Sequence, residues 1–233
     1  MKISINILVV SVSFLLFQQS ILAESVNKYR PLSDQEKQSA CQAVLTHVMR
    51  NTLLTCDNTI VFSPRRFSSA NMELLLVERT TSKSTQNHED VRIADVYAYN
   101  YATDTLNYTV VNLDSGEVLK TEDVQGVQLP LIEKEIDRAR VIANEDRRLR
   151  DLLASEYQRV TGQTLQSLDQ LVVKAFVYLA ETAPGQPNEA TESCGLHRCA
   201  RLVMHTADRI ALNTVPIIDL STGVVSQYRT GEQ

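Results

Sequence analysis

The 233-residue chain lacks the signatures through which many enzymes declare their chemistry. It has no glycine-rich phosphate loop, no Gly-x-Ser-x-Gly elbow and no His-Glu-x-x-His motif, so its sequence gives no grounds for nucleotide binding, serine hydrolysis or zinc-protease chemistry. Histidine is sparse: His47, His88, His197 and His205 are the whole set, and no two form a His-x-His pair. Basic charge is in deficit, with 23 Lys plus Arg against 28 Asp plus Glu, and no basic patch dominates. Nucleic acid is therefore not an expected partner. Catalysis has no visible carrier and no cofactor is expected, so the expectation is a non-enzyme.

What the sequence does contain begins with an export signal. Met1-Lys2, the apolar run from Ile3 to Leu22 and the small Ala23 read as a signal peptide over 1–23. Gln18, Gln19 and Ser20 interrupt the run and a polar segment, 24–31, follows it, which argues against a lasting membrane anchor. The expected location is periplasmic or secreted, in a Gram-negative bacterium, with no membrane attachment after cleavage. The four cysteines fall two in each half, Cys41 with Cys56 and Cys194 with Cys199. In an exported chain such an even, locally paired set predicts two disulfides.

The remaining residues contain an internal repeat. Val215 to Val225 reads as a strand, a polar turn ending in Gly223 and a second strand. About a hundred residues earlier Tyr108 to Val118 reads the same way, with Gly116 at the matching place. Each copy closes a longer unit, 32–127 and 128–233. In the first, Ser33 and Glu36 form a capping pair for a helix reaching about Thr52, with Cys41, Val44, Leu45 and Val48 on one face. Cys56 to Ala70 reads as an irregular connection that includes the β-prone Thr59 to Phe62. Strands are expected at about 72–80, 92–101, 104–113 and 117–124, with a polar loop over 81–90.

In the second unit Pro130 precedes a helix whose Ile132 to Glu135 falls in register with Ser33 to Glu36. Ile136, Ala139, Ala143, Leu149, Leu152, Leu153 and Tyr157 form its apolar stripe. Arg138, Arg140, Glu145, Asp146, Arg147, Arg148 and Arg150 read as a solvated face. Strands are expected at 170–181, 196–206, 209–220 and 224–229. Arg198, Ala200, Leu202 and Met204 then stand where Arg92, Ala94, Val96 and Ala98 stand in the first unit. The fold class is α+β, with each unit a helix packed on a four-stranded antiparallel sheet.

Such a unit is cystatin-like, and two in tandem resemble the small N-terminal domains (N2 and N3) of copper amine oxidases. Leu32 to Glu36 with Ala40, Glu73 to Glu78, Arg92 to Asn100, Val110 to Val118 and Gly126 to Pro130 look like that family's helix, strands and exit, in order. The resemblance implies a fold and no catalytic residue. In that family the copper and the tyrosine-derived quinone sit in a large β-sandwich that has no counterpart here. Asn100-Tyr101-Ala102 and Asn107-Tyr108-Thr109 depart from the Asn-Tyr-Asp or Asn-Tyr-Glu motif of the quinone precursor.

Two stretches remain as candidate sites. Cys194-Gly195-Leu196-His197-Arg198-Cys199 places two thiols and an imidazole within six residues, either as metal ligands or as a small-loop disulfide, and an oxidising compartment favours the disulfide. His205 lies on a strand, where packing or exposure is expected. Tyr97, Tyr99, Tyr101 and Tyr108 form an aromatic patch on the sheet face away from the helix. They serve either as cover for a domain interface or as a surface for a protein partner. Three functional readings follow: a module that binds another exported protein, a detached regulatory part of a copper/quinone amine oxidase, and a cystatin-type protease inhibitor. The inhibitor hairpin Gln-x-Val-x-Gly has no match, since Gln125-Gly126-Val127-Gln128 has the wrong order.

Overall fold

The structure is a computed structural model that describes residues 30–47, 56, 72–80, 91–182 and 189–229. The signal segment, most of 24–31, the helix beyond His47, the piece from Thr59 to Phe62 and the loop 81–90 lie outside the described residues. The described residues from Pro31 onward belong to one compact body. In chain order it contains helix α1 (Asp34–His47) and strands β1 (Met72–Arg79), β2 (Ile93–Asn100), β3 (Thr105–Asn112) and β4 (Val118–Val124). After these come helices α2 (Glu133–Glu145) and α3 (Arg147–Thr161), then strands β5 (Val172–Val177), β6 (Cys199–His205), β7 (Val215–Asp219) and β8 (Val224–Arg229). Each set of four strands forms its own antiparallel sheet in sequence order. The fold is two tandem cystatin-like units.

The repeat extends to individual hydrogen bonds. Ser33 Oγ accepts from the Glu36 amide at 3.3 Å while the Glu36 carboxylate takes the Ser33 amide at 2.7 Å, so two orphan donors of α1 are satisfied reciprocally. In α2 the Glu135 carboxylate takes the Ile132 amide at 2.9 Å. Arg92, just before β2, pairs with Glu36 and donates to the Pro31 carbonyl at 3.0 Å. Arg198, just before β6, pairs with Glu135 and donates to the Pro130 carbonyl, also at 3.0 Å. The turns agree as well. Asn112 Oδ1 accepts from the amides of Asp114 and Ser115, as Asp219 Oδ1 does from Ser221 and Thr222. Gly116 and Gly223 then donate back to residues 112 and 219 at 2.8 Å each. Their φ angles of 71° and 74° are left-handed values that a side chain disfavours.

Side-chain alternation decides what each sheet face covers. On β2, Ala94, Val96 and Ala98 are buried against α1, whose Ala40, Cys41 and Val44 complete that core. The small residues allow the helix to lie close. The opposite face carries Tyr99, and with Tyr101, Leu75 and Leu106 it joins a second core. That core also holds Ala139, Ile142 and Ala143 of α2, Leu149, Leu153 and Tyr157 of α3, and the inward residues Ala200, Leu202, Met204 and Ile218 of the second sheet. One face of the first sheet thus shares its core with the helices of the second unit.

Three expectations about the second unit are corrected. The single helix is two, broken at Asp146, whose extended backbone (ψ 112°) stops α2 and whose carboxylate caps α3 by accepting from the Leu149 amide at 2.7 Å. The supposed solvated arginine face is partly engaged: Arg138 pairs with Glu73 of β1 and lies 4.8 Å over the Tyr101 ring, and Arg148 lies 4.6 Å over Tyr228. Three strands are shorter than their sequence pattern, β6 because its expected first residues lie in the Cys194–Cys199 loop. After β5 the Ala180 amide turns to the Cys194 carbonyl, drawing the chain across the outer sheet face. Before β7, Arg209 adopts a φ of 67° in a turn closed by its amide on the Thr206 carbonyl.

Candidate partner surfaces and the junction between the units

Cys41 is bonded to Cys56 and Cys194 to Cys199. The second bridge is buried with Tyr178 and Ile217 beneath the segment that follows β5. Within its loop Gly195, at a φ of 120°, takes the Gln128 side-chain amide on its carbonyl at 2.9 Å, and the exposed Leu196 offers its carbonyl to the Tyr99 hydroxyl at 3.1 Å. The loop is therefore tied to the first unit.

His197 sits between two carboxylates. Its Nδ1 is 2.8 Å from Asp219, in the repeated turn, and its Nε2 is 3.6 Å from Asp104, in the β2–β3 turn. Asp104, held at a φ of 50°, also accepts from Ser221 Oγ and lies 3.1 Å from the Tyr99 hydroxyl. Ser221 Oγ donates to Asp104, while the imidazole is flanked by the two carboxylates. With one carboxylate on each ring nitrogen and the cysteines bonded to each other, the cluster does not form a ligand set, and among the described residues no group of three or more His, Cys, Asp or Glu is placed to hold a metal. The arrangement fastens the first unit's hairpin to the second unit's turn. His205 donates from Nδ1 to the Thr206 carbonyl at 2.9 Å.

Deeper in the junction Arg198 and Glu135 are fully buried. Arg198 uses all of its donors, on both Glu135 oxygens, on Gln128 Oε1 and on the carbonyls of Leu129 and Pro130. The Tyr101 hydroxyl lies 2.7 Å from Glu135 and 2.9 Å from Glu73, and burial, followed by these two carboxylates, pushes its ionisation well above the usual tyrosine range. It stays neutral. Sequence reasoning aligned Arg198 with Arg92 and Glu135 with Glu36 but did not pair them. The signal lay in charged residues recurring at one register in both copies.

The four tyrosines divide. Tyr99 and Tyr101, in edge-to-face contact at 5.0 Å, are buried between the units and present no surface to a partner. This corrects half of the expected patch, because the second unit's α2 and the Cys194–Cys199 loop cover that end of the sheet. Tyr97 and Tyr108 remain half-buried and stack at 5.1 Å, with Lys120 Nζ 5.3 Å over the Tyr108 ring. Tyr108 donates to Asp95 at 2.9 Å, and burial and then that hydrogen bond raise its ionisation. Leu76, paired with Tyr97 across β1 and β2, completes an apolar strip.

A second open face was not foreseen. On β5 Val173 and Ala175 turn inward, so Val172, Lys174 and Phe176 point out; Phe176 is 54 % exposed and Val172 45 %. The sequence Val-Val-Lys-Ala-Phe-Val is apolar at both parities, so alternation alone did not say which side is wet.

No protein-family model matches the chain, and no curated protein matches it in sequence. A solved structure is similar in fold: a copper-containing benzylamine oxidase from Hansenula polymorpha, over 89 % of this chain, at a TM-score of 0.54 and 13 % identity. The fold is shared with part of a copper amine oxidase. This chain spans 30 % of that protein's length, and at this identity the likeness concerns the fold alone.

Proposed function

We propose that the chain is an exported, non-catalytic module related in fold to part of a copper amine oxidase, and that it binds another exported protein through its open sheet faces. The observation that carries this reading is the exposed, apolar outer face of β5, with Phe176 at 54 % and Val172 at 45 % exposure, on a sheet whose other face is already packed. Two disulfides fit an oxidising compartment, and the signal-like start fits export to the periplasm or beyond.

Site-specific photo-cross-linking from position 176 or 76 in the exported fraction of the native cell tests it. One discrete adduct with another exported protein is expected, and it should disappear when the probe is moved to Asp151 on exposed α3. No adduct from either position would refute the binding role. The second reading, a regulatory part acting with a separate copper/quinone oxidase chain, is favoured only by the fold likeness, and an adduct with such a chain would select it. Peroxide release from benzylamine by the purified chain, or an equivalent of copper surviving dialysis, would overturn the non-catalytic assignment.

A further inference from the structure

The two open faces are complementary in charge as well as apolar. On the first sheet the outward rows run Leu76, Tyr97, Tyr108, Glu122 and then Glu78, Asp95, Val110, Lys120. Asp95 is buried, so the charges that reach solvent are Glu78, Glu122 and Lys120, giving 1 − 2 = −1. On the second sheet the outward positions of β5 and β6 read Val172, Lys174 and Phe176 beside His205, Val203 and Arg201. Lys174 and Arg201 give +2 with His205 neutral. Asp219, on the same side at the far end, is tied to His197.

The ion pairs sharpen the match. Lys120 is committed to Glu122 at 2.9 Å, but among the described residues no ion pair holds Glu78 on the aromatic face or Lys174 and Arg201 on the β5 face. An unpaired carboxylate beside Leu76 and Tyr97 therefore mirrors two unpaired cations beside Phe176. Two twisted antiparallel sheets pack face to face at about 10 Å through side chains of this kind.

We infer that the occupant of the β5 face is a second copy of this chain, presenting its Leu76–Tyr97–Tyr108 face. The inference rests on the protein-binding reading above and names its partner. The contact joins two different faces, so it is heterologous: each added copy leaves one face of each kind free, and the assembly grows as a chain unless its rotation closes a ring. Each face offers only a few reachable side chains, at the small end of specific interfaces, so a dissociation constant on the order of 10–100 μM is expected. Phe176 is the anchor, entering the strip of Leu76 and Tyr97 while Lys174 meets the exposed Glu78.

Sedimentation velocity of the mature chain from about 1 to 300 μM tests this. The wild type should gain mass with concentration, and ~0.5 M NaCl should weaken the gain several-fold. Two variants each disable one face with serine, and neither touches a core: Lys174→Ser/Phe176→Ser and Leu76→Ser/Glu78→Ser. Each alone should stay monomeric. Mixed together they should give a 1:1 dimer that grows no further, because each supplies the face that the other lacks. A wild type that stays monomeric throughout the range overturns the inference, and so does an assembly that survives both variants, or variants that fail to complement. A monomeric wild type that still yields a cross-linked adduct with a different protein would leave the broader binding role standing.

Discussion

Removing the buried guanidinium at the junction tests whether the matched ion pairs have different weights in the two units. Arg198→Met keeps most of the apolar stem but deletes every donor. The Glu135 carboxylate is then left fully buried with only the Ile132 amide and the Tyr101 hydroxyl, and the Leu129 and Pro130 carbonyls lose a partner. Breaking a buried pair on one side typically costs 3–5 kcal/mol, so a loss of about 4 kcal/mol is expected. Arg92→Met deletes the matching bonds in the first unit, to the Glu36 carboxylate and the Pro31 carbonyl. There the pair is 7 % and 19 % exposed, and water can replace part of what is lost, so about 1–2 kcal/mol is expected. With a urea slope of about 2 kcal/mol per molar, the unfolding midpoint should fall by about 2 M for Arg198→Met and by less than about 1 M for Arg92→Met. The double variant Arg198→Met/Glu135→Leu should recover most of the loss, since an apolar pair no longer strands a charge. Equal midpoint shifts for the two arginine variants, or a double variant as unstable as the sum of its parts, would refute the reasoning.

The repeated turns give a second test: Leu220 is fully buried and Leu113 only partly, so Leu220→Ala should cost 2–5 kcal/mol and Leu113→Ala clearly less, read by the same denaturation. Gly116→Val and Gly223→Val should each destabilise by roughly 1 kcal/mol or more, because both need a left-handed backbone, and an effect at only one would show that the turns are not equivalent. Acid should act through Glu36, whose carboxyl is held at about 2, below its ordinary 4.5, chiefly by the Arg92 hydrogen bonds. A lowered folded-state value means that the contribution is complete above about pH 4.5 and is lost as pH falls toward 2; Glu36→Gln should flatten that limb of the stability curve. Mass spectrometry of the unreduced protein should find peptides linking Cys41 to Cys56 and Cys194 to Cys199, and any link between the halves would contradict the fold.

How much could be read in advance differs between local and long-range features. The capping pair Ser33 and Glu36, the strand cores and the matched Gly116 and Gly223 turns are local: periodicity, a hydroxyl at a helix start and a glycine where φ must be positive each act within a few residues. The Asp146 break was legible only in part, since the apolar stripe continues across it and the cap itself is one carboxylate–amide bond.

By itself the sequence determined two α+β units in tandem, each a helical segment with four antiparallel strands, and their cysteine pairs, because these follow from short-range patterning repeated twice. It did not decide which tyrosines meet solvent, that His197 would lie between Asp104 and Asp219, or that Arg198 would be buried while its twin Arg92 stays nearer to water. Those outcomes depend on how the second unit's helices and the Cys194–Cys199 loop close over one end of the first sheet. Identical local chemistry then acquires a different dielectric surrounding in each copy, a long-range packing result that no window of sequence contains.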